Sequence, residues 1–125
     1  MNKYRIFGSF MKTKNGWIEI DKIRYDHDIV IHADRSVTKR SKKKSKKFKG
    51  SYGHTPLSEF ELEFLERENP SVVYIGTGQY GDLPITEEAQ EILKKYPVII
   101  RPTPELLEIL DEEPQPFAAI IHVTC

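Results

Sequence analysis

The sequence predicts a single α/β domain with helices packed against a layered sheet. Three observations lead there. The last half of the chain alternates short apolar runs with helical stretches of 10–12 residues, the pattern of strands and helices that share one core. The first third alternates apolar and polar residues two by two, as antiparallel strands do. The length of 125 residues, with 38% hydrophobic and 30% charged side chains, suits one globular domain that folds without disulfides or metal.

Trp17-Ile18-Glu19-Ile20 and Ile23-Arg24-Tyr25 read as strands joined by a turn at Asp21-Lys22. Asp28-Ile29-Val30-Ile31-His32 is more uniformly apolar and predicts a strand buried on both faces, with a turn at residues 33–36 before Val37-Thr38. Two successive hairpins predict an N-terminal meander. Residues 1–15 read as a variable segment and residues 16–125 as the domain. A first helix should begin at Ser58, whose hydroxyl and Glu61 three residues on form the capping-box pattern. Leu57, Phe60, Phe64 and Leu65 give it an apolar stripe, and Asn69-Pro70 ends it. Val72-Val73-Tyr74-Ile75, Val98-Ile99-Ile100 and residues 117–124 then read as strands. Helices are expected at 86–96, capped by Thr86, and at 103–113, where Pro104 occupies the first turn without losing a helical hydrogen bond.

No apolar run approaches the ~20 residues of a membrane-spanning helix. Lys3, Arg5, Lys12 and Lys14 interrupt the N-terminus, which therefore lacks the unbroken apolar core of a secretory signal. A lone cysteine, Cys125, leaves no intrachain disulfide and suits a reducing compartment, so a cytoplasmic protein is expected. Net charge is zero, but the charges are segregated. Residues 1–56 hold 15 Lys and Arg against 5 Asp and Glu, whereas residues 57–125 hold 4 against 14. Such a field steers charged partners and says little about fold.

Gly76, Thr77, Gly78, Gln79, Tyr80 and Gly81 follow a strand and match G-x-G-x-x-G. A dinucleotide site would use those glycines to bring a pyrophosphate to backbone N–H groups at a helix start. Here the helix starts five residues late, Pro84 removes a donor, Asp82 repels phosphate, and only 44 residues follow Gly81. A turn whose glycines serve backbone geometry is the favoured reading, with a pocket at the strand's carboxyl end as the functional one. In that pocket Thr77 and Gln79 would offer hydrogen bonds and Tyr80 a stacking surface. Arg40 would anchor a carboxylate or phosphate with its two-pronged guanidinium, and His54 would line the wall. Residues 39–49 hold eight Lys and Arg in eleven positions. They read as a solvated or internally paired loop before a nucleic-acid contact. His27, His32 and His122 lack zinc-ligand spacing, and His122 and Cys125 would point to opposite faces of a regular strand. Cys125 reads as a small hydrophobe rather than an activated nucleophile. No cofactor and no metal are expected.

The succession Tyr25-Asp26-His27-Asp28-Ile29-Val30-Ile31, Arg40, Gly53-His54, Ile75 through Gly81, Pro102-Thr103 and His122-Val123-Thr124-Cys125 resembles the adipogenesis-associated domain family. That family of unknown function also includes a mitochondrial complex I assembly factor and archaeal and bacterial proteins. The resemblance spans residues 16–125. It implies a compact three-layer α/β domain with a mixed central sheet, helices on its faces and an added β layer. It implies no established catalysis, cofactor or metal, and roles in assembly or regulation through protein contacts. The family's Tyr-Asn pair near the end of the third helix is replaced here, where Glu108-Ile109-Leu110-Asp111 stands. The expected function is thus a non-catalytic binding or assembly module acting through a cleft at the glycine loop, its partner a protein or a small anion. Two alternatives stay open: an anion-binding protein or enzyme using that loop with His54 and Arg40, and nucleic-acid binding through residues 39–49.

Overall fold

Strand pairing divides the described residues, 11–125 in this computed structural model, between two sheets. The smaller is an antiparallel sheet of β1 (Met11–Lys14), β2 (Trp17–Ile20) and β3 (Ile23–Tyr25), in that order. Its second turn is the expected Asp21-Lys22. Both residues are left-handed, at φ 50° and 71°, the twist that a two-residue hairpin loop needs to match its strands. The larger sheet runs β5-β4-β8-β6-β7, with β4 (Ile29–Ile31), β5 (Val37–Lys39), β6 (Val72–Thr77), β7 (Val98–Arg101) and β8 (Phe117–His122). β8 lies at its centre, antiparallel to β4 and parallel to β6.

Side-chain alternation in the central strands builds two cores. Tyr74 of β6 and Phe117, Ala119 and Ile121 of β8 face Leu106, Leu107 and Leu110 of α4 (Thr103–Leu110) together with Ile18 and Ile20 of β2. Val73, Ile75, Ala118 and Ile120 point the other way, against Leu57, Leu62, Leu65 of α2 (Phe64–Glu68), and Ala89 and Leu93 of α3 (Glu87–Leu93). Both faces of the sheet are covered, which is why β6 and β8 read as continuous apolar runs. Three layers result: α2 and α3, the five-stranded sheet, and α4 with the small sheet. The α/β class and the three-layer mixed architecture are those expected.

Four details differ from the sequence reading. The meander is split, its first hairpin standing in the small sheet and its second, β4–β5, extending the large one through β4–β8 pairing. Residues 11–14, within the segment read as variable, form β1 on the small sheet; residues 1–10 lie outside the described residues. The first helix is broken into a 3-10 turn at Glu59–Leu62 and the short α2, and Ser58 makes no side-chain cap. The later helices stop at Leu93 and Leu110, short of Tyr96 and Glu113. Thr86 does cap α3, accepting from the Ala89 N–H at 3.1 Å. A short α1 (Lys49–Tyr52) carries the end of the basic run. Among the described residues no helix is long and apolar enough to cross a membrane.

The small sheet and the large one share the core on the α4 side through the fully buried Ile18. Ile18→Ala is therefore expected to cost about 2–5 kcal/mol in urea unfolding and to preserve a single transition. A separate early transition would show the small sheet to be an independent unit.

Candidate functional site

Strand register brings three distant polar residues together. Ile29 pairs with Lys39 on one side and with Ile121 on the other. Asp28, Arg40 and His122, each one residue beyond those pairs, therefore meet at one end of the sheet. The Arg40 N–H continues the ladder to Asp28 O at 2.9 Å. The Arg40 guanidinium donates from Nη1 to Asp28 Oδ2 at 2.9 Å, and from Nε and Nη2 to the two oxygens of Glu61 at 2.5 and 2.9 Å. Nη2 also reaches Pro56 O. The side chains of Arg40, Asp28 and Glu61 are 1%, 3% and 6% exposed, so this is a charge cluster in the protein interior.

Each remaining oxygen in the cluster has a donor. Val123 N–H donates to Asp28 Oδ1 at 2.8 Å, His122 Nδ1 lies 2.7 Å from Asp28 Oδ2, and Lys42 Nζ lies 3.4 Å from it. Ser45 Oγ donates to Glu61 Oε2 and is 2.6 Å from Ser58 Oγ. This explains the missing helix cap: the Ser58 hydroxyl and the Glu61 carboxylate, the two halves of the expected capping box, are drawn into tertiary partners. Burial pushes the Asp28 carboxyl up, but His122, the Val123 amide and Lys42 outweigh it and hold the group well below the usual carboxylate range. Burial likewise opposes the charge on Arg40, and Glu61 and Asp28 overcome it to hold the guanidinium protonated.

Two concavities open over this cluster. The larger, ≈ 940 Å³, is lined by Lys39, Lys42, Lys43 and Lys46 of the basic run, by His27 and Asp28, and by Thr55 and Thr124. The smaller, ≈ 180 Å³, lies beside it and shares Lys42, Thr55 and Thr124. It adds Lys49, His54, Asp82, His122 and Cys125. Apart from Lys42, the lysines of the larger groove form no ion pair among the described residues, so their charge faces solvent. Phe48, the aromatic residue within the basic run, stacks on Phe60 at 6.4 Å between ring centroids.

The glycine loop turns its amides onto the protein's own groups rather than toward a pocket. Gln79 N–H donates to Thr124 O at 2.8 Å, Asp82 N–H to Cys125 O at 3.0 Å, Leu83 N–H to Thr77 O and Gly81 N–H to Gly78 O. Gly78 N–H donates to Thr103 Oγ1, which in turn donates to His122 O. The main-chain amides that were to cradle a ligand thus bind the protein's own groups. A Cβ on Gly78 would come within 2.5 Å of the backbone of Thr124 and Cys125, and its φ of +100° is one few side chains adopt. A Cβ on Gly76 would meet Thr103 and Leu106 of α4 at 2.9 and 3.1 Å. These glycines serve close backbone approach. Thr77 is buried, and Gln79 Nε2 donates to Thr13 Oγ1 and Val123 O. Tyr80, 76% exposed, presents its side chain to solvent beside the exposed Gly81.

Arg40 is also displaced from its expected role, because its fork is filled by Glu61 and Asp28 rather than open to a ligand. His54 lines the small concavity, together with Asp82 and Leu83 just after the glycine loop. His122 and Cys125 reach the same hollow, contrary to the opposite-face expectation, because β8 ends at His122 and the next residues leave strand geometry. Among the described residues no group of three His, Cys, Asp or Glu could hold a metal ion. His32 is engaged elsewhere, with Glu68 at 2.6 Å and Thr38 at 2.7 Å. Sequence reasoning missed Asp28, Glu61 and His122 as one cluster. The available signal was an acid and a histidine at the ends of strands otherwise apolar.

No protein-family model matches the chain, and no curated protein does. Solved structures of similar length share this architecture, one of them described as a conserved hypothetical protein. The chain belongs to the family of the conserved hypothetical protein PH1505 from Pyrococcus horikoshii OT3, with 35% identity, 91% of this chain and 97% of that one covered, and a TM-score of 0.79. The protein MT938 is 33% identical over 91% of this chain and 96% of its own, with a TM-score of 0.73. XCC1710 from Xanthomonas campestris, at 15% identity and a TM-score of 0.61 over 90% and 83%, shares the fold.

Removing Arg40 would strand two carboxylates in the interior. Arg40→Met is expected to cost about 3–5 kcal/mol, measured by urea unfolding at neutral pH; a loss under about 1 kcal/mol would show the cluster to be solvated. Folding lowers the Asp28 pKa, so the unfolded chain takes up this proton first as pH falls. The stabilisation is complete above roughly pH 5 and drains away toward pH 2. Between those values unfolding free energy should fall less steeply in Asp28→Asn than in the parent, by up to about one proton in slope.

Proposed function

We propose that the chain is a non-catalytic binding or assembly module that takes an anionic ligand or an acidic segment of a protein partner into the basic groove beside the Asp28–Arg40 cluster. The observation that carries this reading is the concave array of Lys39, Lys42, Lys43 and Lys46. The acids nearest that array behave differently: Asp28 is buried and answered by Arg40, Lys42 and His122, and Asp26 is held by Arg24 at 2.9 Å. The groove therefore presents net positive charge to solvent. Lysine ammoniums clustered in a concavity concentrate anions and speed their encounter. A role in protein contacts is also what the resemblance to adipogenesis-associated domain proteins implies.

Nucleic-acid binding by the same lysines is supported less. Phe48 is stacked on Phe60 and Lys47 lies over the Phe60 ring at 4.4 Å, so the run interleaves no free aromatic surface on which bases could stack. The glycine loop contributes by holding residues 122–125 against the groove rather than by meeting the ligand.

Calorimetric titration with tripolyphosphate at low salt tests the groove. Lys43→Gln combined with Lys46→Gln should weaken binding about tenfold, of the order expected for two lost charges near a surface, with Tm unchanged. Equal affinity in parent and variant would remove the groove from the reading.

A further inference from the structure

The small hollow beside His122 is built for more than diffuse charge. Its ≈ 180 Å³ has room for a single charged headgroup and falls below the range that holds a whole drug-sized ligand. It lies at the carboxyl end of β8, the central strand, where open α/β sheets place ligands. Lys42, Lys49, His54, Thr55 and Thr124 bring donors to its wall, opposed by the carboxylate of Asp82. We infer that this hollow is a proton-coupled site for one tetrahedral oxyanion, a phosphoryl group free or esterified, with His122 Nε2 as the donor that a proton switches on. The inference rests on the anion-binding reading of the adjoining groove and assigns its innermost contact.

The tautomer logic follows from one hydrogen bond. Asp28 is held ionised by Arg40, Lys42 and the Val123 amide, so the nitrogen facing it, His122 Nδ1 at 2.7 Å, carries hydrogen in either state of the ring. In the neutral ring Nε2 is then a bare lone pair, and it accepts from Thr124 Oγ1 at 3.2 Å. A lone pair there repels an oxyanion and keeps the Thr124 hydroxyl turned away from it. Protonation makes Nε2 a charged donor and frees the Thr124 hydroxyl to donate as well. One proton thus changes two contacts.

The groups facing His122 come from several elements: Asp28 just before β4, Asp82 from the loop after β6, Lys42 from the basic run, Lys49 from α1, and His54, with Arg40 behind Asp28. Cys125 closes the remaining wall. An arriving oxyanion offsets the cations and draws the proton in, so anion binding and proton uptake are reciprocal.

Sulfate is the suitable probe for the full chain, because its charge is constant across the ordinary imidazole range. The histidine Cε1–H resonances report the site by NMR. At about pH 6 sulfate should shift His122 and His54 saturably and leave His32 in place. At about pH 8 its affinity should be at least about tenfold lower, one proton being linked to binding. His122→Gln, which supplies a fixed amide donor, should bind without that pH dependence, whereas His54→Gln should retain it. Inorganic phosphate and ribose 5-phosphate, compared at the lower pH, separate the sources. Tighter binding of the ester assigns a phosphate monoester whose remainder occupies the groove, and equal binding assigns free phosphate. The inference is overturned if sulfate leaves His122 unmoved, or binds equally at both pH values, measurements that need only the parent protein. Should tripolyphosphate still bind in that event, the groove reading survives alone; loss of both would end both.

Discussion

One buried guanidinium organises this end of the molecule. Arg40 ties the end of β5 to Asp28 before β4 and to Glu61 in the turn before α2. A buried ion pair adds little net stability over a well-packed apolar substitute, since desolvation offsets most of the attraction, but a half-removed pair is strongly destabilising. Its effect here is geometric. The planar fork fixes two carboxylates at set positions, and those carboxylates then orient His122, Ser45 and Lys42. The basic run is anchored at Arg40 and Ser45, so its remaining lysines project from a fixed base.

A second constraint closes the same region from behind. The segment following β8 is held on every side: Val123 N–H bonds Asp28, and Val123 O accepts from Gly16 and Gln79. Thr124 O accepts from Gln79 N–H, and Cys125 O from Asp82 N–H. Gly78 permits this because any side chain would collide with residues 124 and 125. The glycine loop is therefore a bracket for the segment that carries His122, Thr124 and Cys125 to the hollow. A loop with the spacing of a phosphate cradle here has its amides facing inward.

The elements most legible in the sequence were those whose signal is local. β6 and β8 announce themselves by uninterrupted apolar residues because both faces are covered, and Thr86 caps α3 because, among the described residues, no tertiary partner competes for its hydroxyl. Ser58 and Glu61 carry an equally good local signal, and it failed because Ser45 and Arg40 claim the same atoms. Met11–Lys14 was illegible for another reason: a four-residue strand with two lysines is defined by its pairing to β2 rather than by its own pattern. The site followed the same division. The expected pocket at the glycine loop rested on local spacing, while the joining of Asp28, Arg40 and His122 depends on a register that spans 94 positions between Asp28 and His122.

By itself the sequence determined the α/β class, the approximate place of most strands and helices, and the segregation of positive charge into residues 39–49. Hydrophobic periodicity and charge order are properties of neighbouring residues, and they survive without knowledge of the fold. Only the tertiary structure decided that the two hairpins enter different sheets, that Arg40 is answered from within, and that the glycine loop is closed by residues 124 and 125. Each of those outcomes is a competition between partners far apart in the chain for the same hydrogen-bonding atoms. Such competitions are settled by proximity in space, on which the linear order of residues is silent.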